Sequence, residues 1–145
     1  MTIDYCIIPK KTETWQTFID ITEEVQNCIP ASAKVGSVLV YCRHTTSGVR
    51  ILENEPLLIK DLEMFMERLA PKTITYLHDD LSKRQVPPHE RINGHSHLKS
   101  LLINSSETIP IIDGKLQMGQ WQRIFFIEFD PGRDRELTIM VHYEI

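Results

Sequence analysis

With 145 residues, 41% of them hydrophobic and 25% charged, the chain has the make-up of one soluble globular domain, long enough to bury a core without staples. A net charge of −4 with scattered Lys and Arg argues against a nucleic-acid partner, and no run approaches the ~20 apolar residues that cross a bilayer. The N-terminal MTIDYCIIPKK lacks a secretory pattern, because Lys10 and Lys11 follow its short apolar stretch instead of preceding it. A cytoplasmic protein is the expectation. Cys6, Cys28 and Cys42 are odd in number and lack CxxC spacing, which predicts reduced thiols and no disulfide framework.

In chain order, IDYCII (3–8) predicts a first strand and WQTFIDI (15–21) a second, short extended piece. Thr22 followed by Glu23 and Glu24 predicts a helix start, with acidic residues where the helix dipole favours them and a stop at Pro30. SVLVYCR (37–43) is rich in β-formers, and VRIL (49–52) would continue that strand after His-Thr-Thr-Ser-Gly. EPLLIKDLEMFMERLAP (55–71) predicts a helix: Leu58, Leu62, Phe65, Met66 and Leu69 recur at three- and four-residue steps as a core stripe, with Pro56 in the first turn and Pro71 closing it.

From Leu77 to Gly94 the chain turns polar, in a loop of about 18 residues, a length found in functional or disordered segments. A short helix is predicted after Asn93-Gly94, and Asp113-Gly114 marks a hairpin between TIPII and KLQM. WQRIFFIEFD (121–130) and RELTIMVHYEI (135–145) are long strands that PGRD would join as a second hairpin. On the first of them Phe125, Ile127 and Phe129 share one face and Ile124, Phe126 and Glu128 the other. Two apolar faces call for helices on one side and suggest a neighbouring subunit on the other. With neither repeat nor linker, residues 1–145 form a single domain of α+β class, mostly antiparallel with two or three helices.

Six histidines, at 44, 78, 89, 95, 97 and 142, carry the possible chemistry. His142, on the terminal strand, reads as structural, and His89 beside two prolines as exposed. His44 ends an apolar strand and opens the Thr-rich tract, with Glu53-Asn54-Glu55 following. It reads equally as a presented functional group or as an exposed residue in a turn. Cys42 lies two residues from His44 at a core-like position, where an inert buried thiol is the better reading than a nucleophile. His78 opens the long loop and His95 and His97 close it, so their convergence would supply two or three imidazoles for Zn²⁺ or a similar ion, with Asp79, Asp80 or Glu53 as a further ligand or second partner. At a helix start, His95 and His97 would diverge by about 200°.

Several of these stretches resemble the YjbQ family: His44-Thr45-Thr46, Glu53-Asn54, Tyr76-x-His78, Asn93-Gly94-x-x-His97, and above all the C-terminal run. In that run Ser106-x-x-Ile109-Pro110-Ile111-x-x-Gly114 is followed by Gly119-x-Trp121-Gln122-x-Ile124. The chain departs from the pattern at Gln120, where the family form carries Thr, and at Ser82-Lys83-Arg84-Gln85, which replaces an acidic tract. The resemblance implies a β-sandwich or half-barrel assembled as a homotrimer, with its polar residues in a pocket near subunit contacts.

It further implies thiamine-phosphate synthase-like activity, joining a pyrimidine diphosphate to a thiazole phosphate. Site positions carried over are His44 and Glu53 as catalytic groups and His44, His78 and His97 (with His95 as auxiliary) for a divalent metal, Zn²⁺ or Mg²⁺. Thr45, Asn54, Asp79, Asn93, Trp121 and Gln122 would hold a small phosphorylated metabolite, with Trp121 and Gln122 reading equally as a core Trp and its amide partner that shape the strand start. Departure of a diphosphate would draw on Mg²⁺ and on cations such as Arg43, Arg50, Lys99 or Arg123; no organic cofactor is expected. Two other functions fit the residues: a His-ligated metal-dependent hydrolase or lyase with Glu53 as base, and a non-catalytic trimeric module that binds a small anion or metabolite.

Overall fold

Along the C-terminal strand, Leu137, Ile139, Val141 and Tyr143 alternate with residues that are less buried, the period of two that marks a sheet covered on one face. A computed structural model describes residues 1–145. Its elements are β1 (Thr2–Thr12), β2 (Thr17–Asp20), α1 (Thr22–Asn27), β3 (Val35–Cys42), β4 (Ser47–Glu53), α2 (Pro56–Leu69), two 3₁₀ turns (Leu77–Asp79 and Leu81–Lys83), α3 (Gly94–Ser100), β5 (Ser106–Ile112), β6 (Lys115–Leu116), β7 (Gln122–Glu128) and β8 (Arg133–Glu144). They form two antiparallel sheets, one of five strands in the order β1-β8-β3-β5-β6 and one of three in the order β2-β7-β4.

The main core lies between the sheets. Val38, Val40, Ile109, Ile111, Leu137, Ile139 and Val141 from the larger sheet meet Val49, Ile124 and Phe126 from the smaller, and α1 adds Val25. Val49 also bridges to Asn104, just before β5, so the second sheet is stitched to the rim of the first and the whole curls into a half-barrel. The opposite face of β7 places Phe125 and Ile127, with Phe129 just beyond it, against Met66 of α2, Phe18, Leu52, Ile59 and Ile103. The chain therefore covers both apolar faces of β7 by itself, one with a sheet and one with a helix, and needs no neighbouring subunit there.

Four expectations are corrected. The segment 49–52 does not continue β3: the turn after His44 sends β4 into the other sheet, beside β7. The strands β7 and β8 are not a hairpin, because β7 pairs with β2 and β4 whereas β8 pairs with β1 and β3; the PGRD segment turns a corner between sheets. Cys6 and Cys28 form a disulfide, with Cα atoms 6.2 Å apart, since β1 runs past the end of α1 in a way that spacing alone does not encode. Of the stripe on α2 only Met66 is buried, while Phe65 and Leu69 are about half exposed and border an apolar cleft with Leu62, Leu102 and Ile103.

Local chemistry explains the helices that frame the site. Glu55 caps α2 by accepting from the Leu57 and Leu58 amides at 3.0 and 2.7 Å, with Pro56 at the start of the helix. Asp79 ties the first 3₁₀ turn to α3, accepting from the Tyr76 amide at 3.0 Å and the Gly94 amide at 2.9 Å. A side chain at Gly94 would meet the Tyr76 Cβ at 2.8 Å and Asp79 Oδ1 at 2.9 Å, so glycine is what permits that docking. This clasp sets the distance between the loop carrying His78 and the helix carrying His97.

Candidate functional site

At one end of the half-barrel the core changes character while its strands keep their alternation. Ile124 and Phe126 on β7 are followed on the same face by Glu128, and Leu137 and Ile139 on β8 are preceded there by Arg133 and Arg135. Glu128 and Asp130 are fully buried. Glu128 accepts from Arg135 Nε at 2.6 Å, Thr46 Oγ1 at 2.6 Å and the Asp130 amide at 3.0 Å. Asp130 accepts from Arg133 Nε at 2.8 Å and Asn93 Nδ2 at 3.0 Å. Arg135 Nη2 donates to Thr46 Oγ1 at 2.8 Å. Carboxylates taken this far from water stand only with such partners.

These arginines form one wall of a polar cleft of about 270 Å³, lined by Thr45, Thr46, His78, Arg84, Glu90, Asn93, His97, Arg133 and Arg135, with no apolar side chain among them. The His78 and His97 rings meet edge to face, centroids 4.6 Å apart. Arg84 closes the rim, donating to the His78 carbonyl at 2.8 Å and standing 4.0 Å from Glu90. The Ser82–Gln85 departure thus brings a guanidinium to the cleft. Burial, then the neighbouring His78 and Arg84, hold His97 below the ordinary histidine range against the Thr45 backbone and Asp130. His97 is therefore a neutral imidazole near neutral pH, able to accept a proton or donate one N–H.

The remaining expected residues are distributed by strand direction. His44 lies on the far side of Arg135, bordering a second cleft with Lys10, Lys11, Arg43 and Glu136, and its Nε2 accepts from the Glu136 amide at 3.2 Å. Burial and Arg135 lower its pKa. Asp79 has both oxygens on backbone amides, as described, and acts as the clasp. Glu53 and Asn54 sit at the opposite end of β4, Glu53 pairing in register with Gln122, about 20 Å along the strands from the Thr46 end. There Asn54 donates to Asp20 at 3.0 Å, Gln122 accepts from the Gly119 amide at 2.8 Å, and Trp121 is exposed.

Arg123 holds Asp20 at 2.7 Å in this distant cluster. Burial raises the Asp20 pKa, but Arg123, Thr22 and Asn54 outweigh it and lower it overall. Of the other cations named from sequence, Arg43 pairs with Glu136, Arg50 faces Glu107 at 3.9 Å, and Lys99 is buried against Glu67. None of the three lines the arginine cleft.

Within the chain, then, His78 and His97 come together with Thr45 and Asn93, while Glu53 does not join them and His44 stands apart. No set of three or more His, Cys, Asp or Glu side chains is placed to hold a metal ion, so the His44–His78–His97 ligand set is not assembled here. The reason is directional: His44 leaves β3 on one side of the Arg135 wall, and α3 and the long loop approach from the other. Cys42 is buried with its thiol 3.2 Å from Ser47 Oγ, and burial pushes it above the ordinary thiol range, as an inert core cysteine should be. Sequence reading gave no site role to Thr46, Arg84, Glu90, Glu128, Asp130, Arg133 or Arg135. The available signal was the alternation Ile-x-Phe-x-Glu-x-Asp and Arg-x-Arg-x-Leu-x-Ile, which runs charges onto a core face.

The lowered histidines have a pH consequence. His44, His95 and His97 all bind a proton less readily folded than unfolded, each because of burial first. Stability from this source is complete above about pH 6.5 and is lost as pH falls from there through the folded pKa values. Urea-unfolding midpoints should decline between about pH 7 and about pH 5, and His97→Gln should flatten the decline. A midpoint unchanged over that interval would contradict the assignment.

The sequence profile described as "UPF0047 protein YjbQ-like" matches residues 7–144. A UPF0047 protein of Archaeoglobus fulgidus is 40% identical over 89% of this chain and 94% of its own. Among solved structures, a YbjQ-like protein of unknown function from Sulfolobus solfataricus superposes with a TM-score of 0.88 at 25% identity, covering 99% of both chains. A YjbQ/UPF0047-family protein of Clostridium acetobutylicum gives 0.82 at 34% identity over 94% of this chain and 99% of that one.

Proposed function

The chain belongs to the YjbQ-like UPF0047 family, and from that premise we propose that its arginine cleft binds a small phosphorylated metabolite and carries out a group transfer on it. The observation that carries this reading is the cleft itself: Arg84, Arg133, Arg135, Asn93, Thr45 and Thr46 surround two imidazoles in contact. The planar guanidinium fork can give two parallel N–H bonds to two oxygens of one phosphate, which makes arginine the side chain best suited to hold it. Buried Glu128 and Asp130 hold two of them in place, so ligand binding need not order them.

The specific reaction proposed is thiamine-phosphate synthase-like. A pyrimidine methylene carbon loses its bond to diphosphate and gains one to the thiazole nitrogen, and diphosphate departs with the electron pair. Arg84 and the uncommitted edges of Arg133 and Arg135 would neutralise the departing charge, and the His97 N–H would donate to a phosphate oxygen as that charge grows. A divalent ion carried on the diphosphate would supply further charge neutralisation. No three His, Cys, Asp or Glu side chains stand together to hold a metal ion in this chain, and Glu53 lies at the far end of β4 from the Thr46 side of the cleft, which favours the transfer reading over a metal-dependent hydrolase.

A homotrimer fits this proposal. The outer face of the five-stranded sheet carries Ile3, Tyr5, Ile7, Val35 and Tyr41, all exposed, an apolar surface that a second copy would cover. No helix is long and apolar enough to cross a membrane.

The test is incubation of purified protein with the pyrimidine diphosphate, the thiazole phosphate and Mg²⁺, following thiamine phosphate and released pyrophosphate together. Equimolar appearance of both is the expected outcome. Their absence while phosphorylated ligands still bind would leave a non-catalytic binding module and reject the transfer reaction.

A further inference from the structure

The His-Ser-His spacing on α3 sends its two imidazoles to different places. His97 faces the arginine cleft, whereas His95, about 200° around the helix, is only 3% exposed. Its hydrogen bonding is one-sided. Ser96 Oγ donates to the Phe129 carbonyl at 2.9 Å and lies 3.3 Å from His95 Nδ1. A hydroxyl has one proton and a carbonyl can only accept, so Nδ1 must carry the hydrogen directed at Ser96. Nε2 is then a bare acceptor, and it is buried without a partner, a condition native interiors rarely leave uncompensated.

Burial, with Lys99 beside it, disfavours a charge on this ring. Lys99, one turn along on the same face of α3, is buried and bonded to Glu67 at 2.5 Å. Burial and then Lys99 lower the His95 pKa, against opposing contributions from Glu67, Asp130 and Asp79. The ring borders a cleft of about 380 Å³ shared with Trp15, Lys72, Thr73, Ile74, Thr75, Asp79 and Ile92.

Trp15 packs on His95, ring centroids 4.9 Å apart, and Lys72 Nζ stands 3.7 Å from the centre of an indole that engages its charge. Gln16, next to Trp15, holds a left-handed backbone with φ 53°, at the turn that presents the indole. Asp79 has both oxygens committed to backbone amides. The lining offers Trp15, Ile74 and Ile92 as apolar surface, with Thr73 and Thr75 beside them and His95 Nε2 as its one buried acceptor without a partner, which suits a flat ring bearing a donor.

We infer that this cleft is a second ligand site, separate from the arginine cleft, which takes a small uncharged aromatic molecule whose O–H or N–H donates to His95 Nε2 while its ring lies against Trp15. The α3 helix thus serves two clefts, one through each histidine.

The test uses phenol as the probe on protein labelled with ¹⁵N at histidine. Long-range ¹H–¹⁵N spectra should show His95 protonated on Nδ1 in the free protein. Phenol should shift its Nε2 signal saturably and leave those of His78 and His97 in place. Anisole, which has the same ring without the donor, should leave His95 unmoved, and Trp15→Ala should weaken phenol binding about three- to tenfold. A His95 protonated on Nε2, no response to phenol, or an equal response to anisole would each overturn the inference. Because the readout ignores turnover and phosphate binding, its failure is distinct from failure of the arginine cleft.

Discussion

Glu128→Ala is expected to lower folding stability by about 3–5 kcal/mol. Glu128 is fully buried and is the sole carboxylate on Arg135, whose side chain is 13% exposed. Removing it strands a guanidinium at the end of the core and leaves Thr46 and the Asp130 amide without their acceptor. The same physics predicts recovery when both charges go: Glu128→Leu combined with Arg135→Met should regain most of the loss, because a well-packed apolar pair avoids the desolvation that the ion pair must offset. Urea unfolding of the three proteins measures this. A loss below about 1 kcal/mol for Glu128→Ala, the range of solvent-screened surface pairs, would show that the charged layer is not sealed from water.

The second large effect is on chemistry. In the proposed transfer reaction, His97→Ala should reduce kcat for thiamine-phosphate formation roughly 10²–10³-fold, the effect of deleting one well-placed donor to a developing anion. KM should change far less, since that hydrogen bond strengthens as the diphosphate leaves. His78 supplies the edge that orients the ring at a centroid distance of 4.6 Å, so His78→Ala should show a smaller loss in the same direction. His44→Ala, altering a ring across the Arg135 wall, should leave kcat closer to that of the parent. Equal losses from His44→Ala and His97→Ala would indicate that the two clefts act as one site.

Most of the strands and all three helices were legible, because periodicity and punctuation are local. Pro56, Pro71 and Asp113-Gly114 mark boundaries that the structure keeps, and the two-faced character of β7 was visible in the phenylalanines of its run. What could not be read was which strand each face meets. Proximity in sequence favoured a β7–β8 hairpin, whereas burying both faces of β7 requires its partners to be β2 and β4, leaving β8 to close the opposite sheet.

The site was half legible for the same reason. The histidines and the Asn93-Gly94 turn stood out by residue type, and His95 and His97 do diverge on a helix. Glu53 and His44 look adjacent in sequence, yet β4 runs its full length between them. The arginine layer was hidden in plain alternation, as charges on positions that read as core.

The arginine cleft is proposed to hold a phosphorylated anion. Isothermal titration of the intact protein with pyrophosphate, beside the Arg84→Gln variant, tests it most directly. Arg84 sits at the rim, 28% exposed, so its replacement should not disturb the buried layer. Saturable binding to the parent protein, weakened about tenfold or more in Arg84→Gln, is the predicted result. No binding to the parent, or binding that Arg84→Gln leaves unchanged, would contradict it.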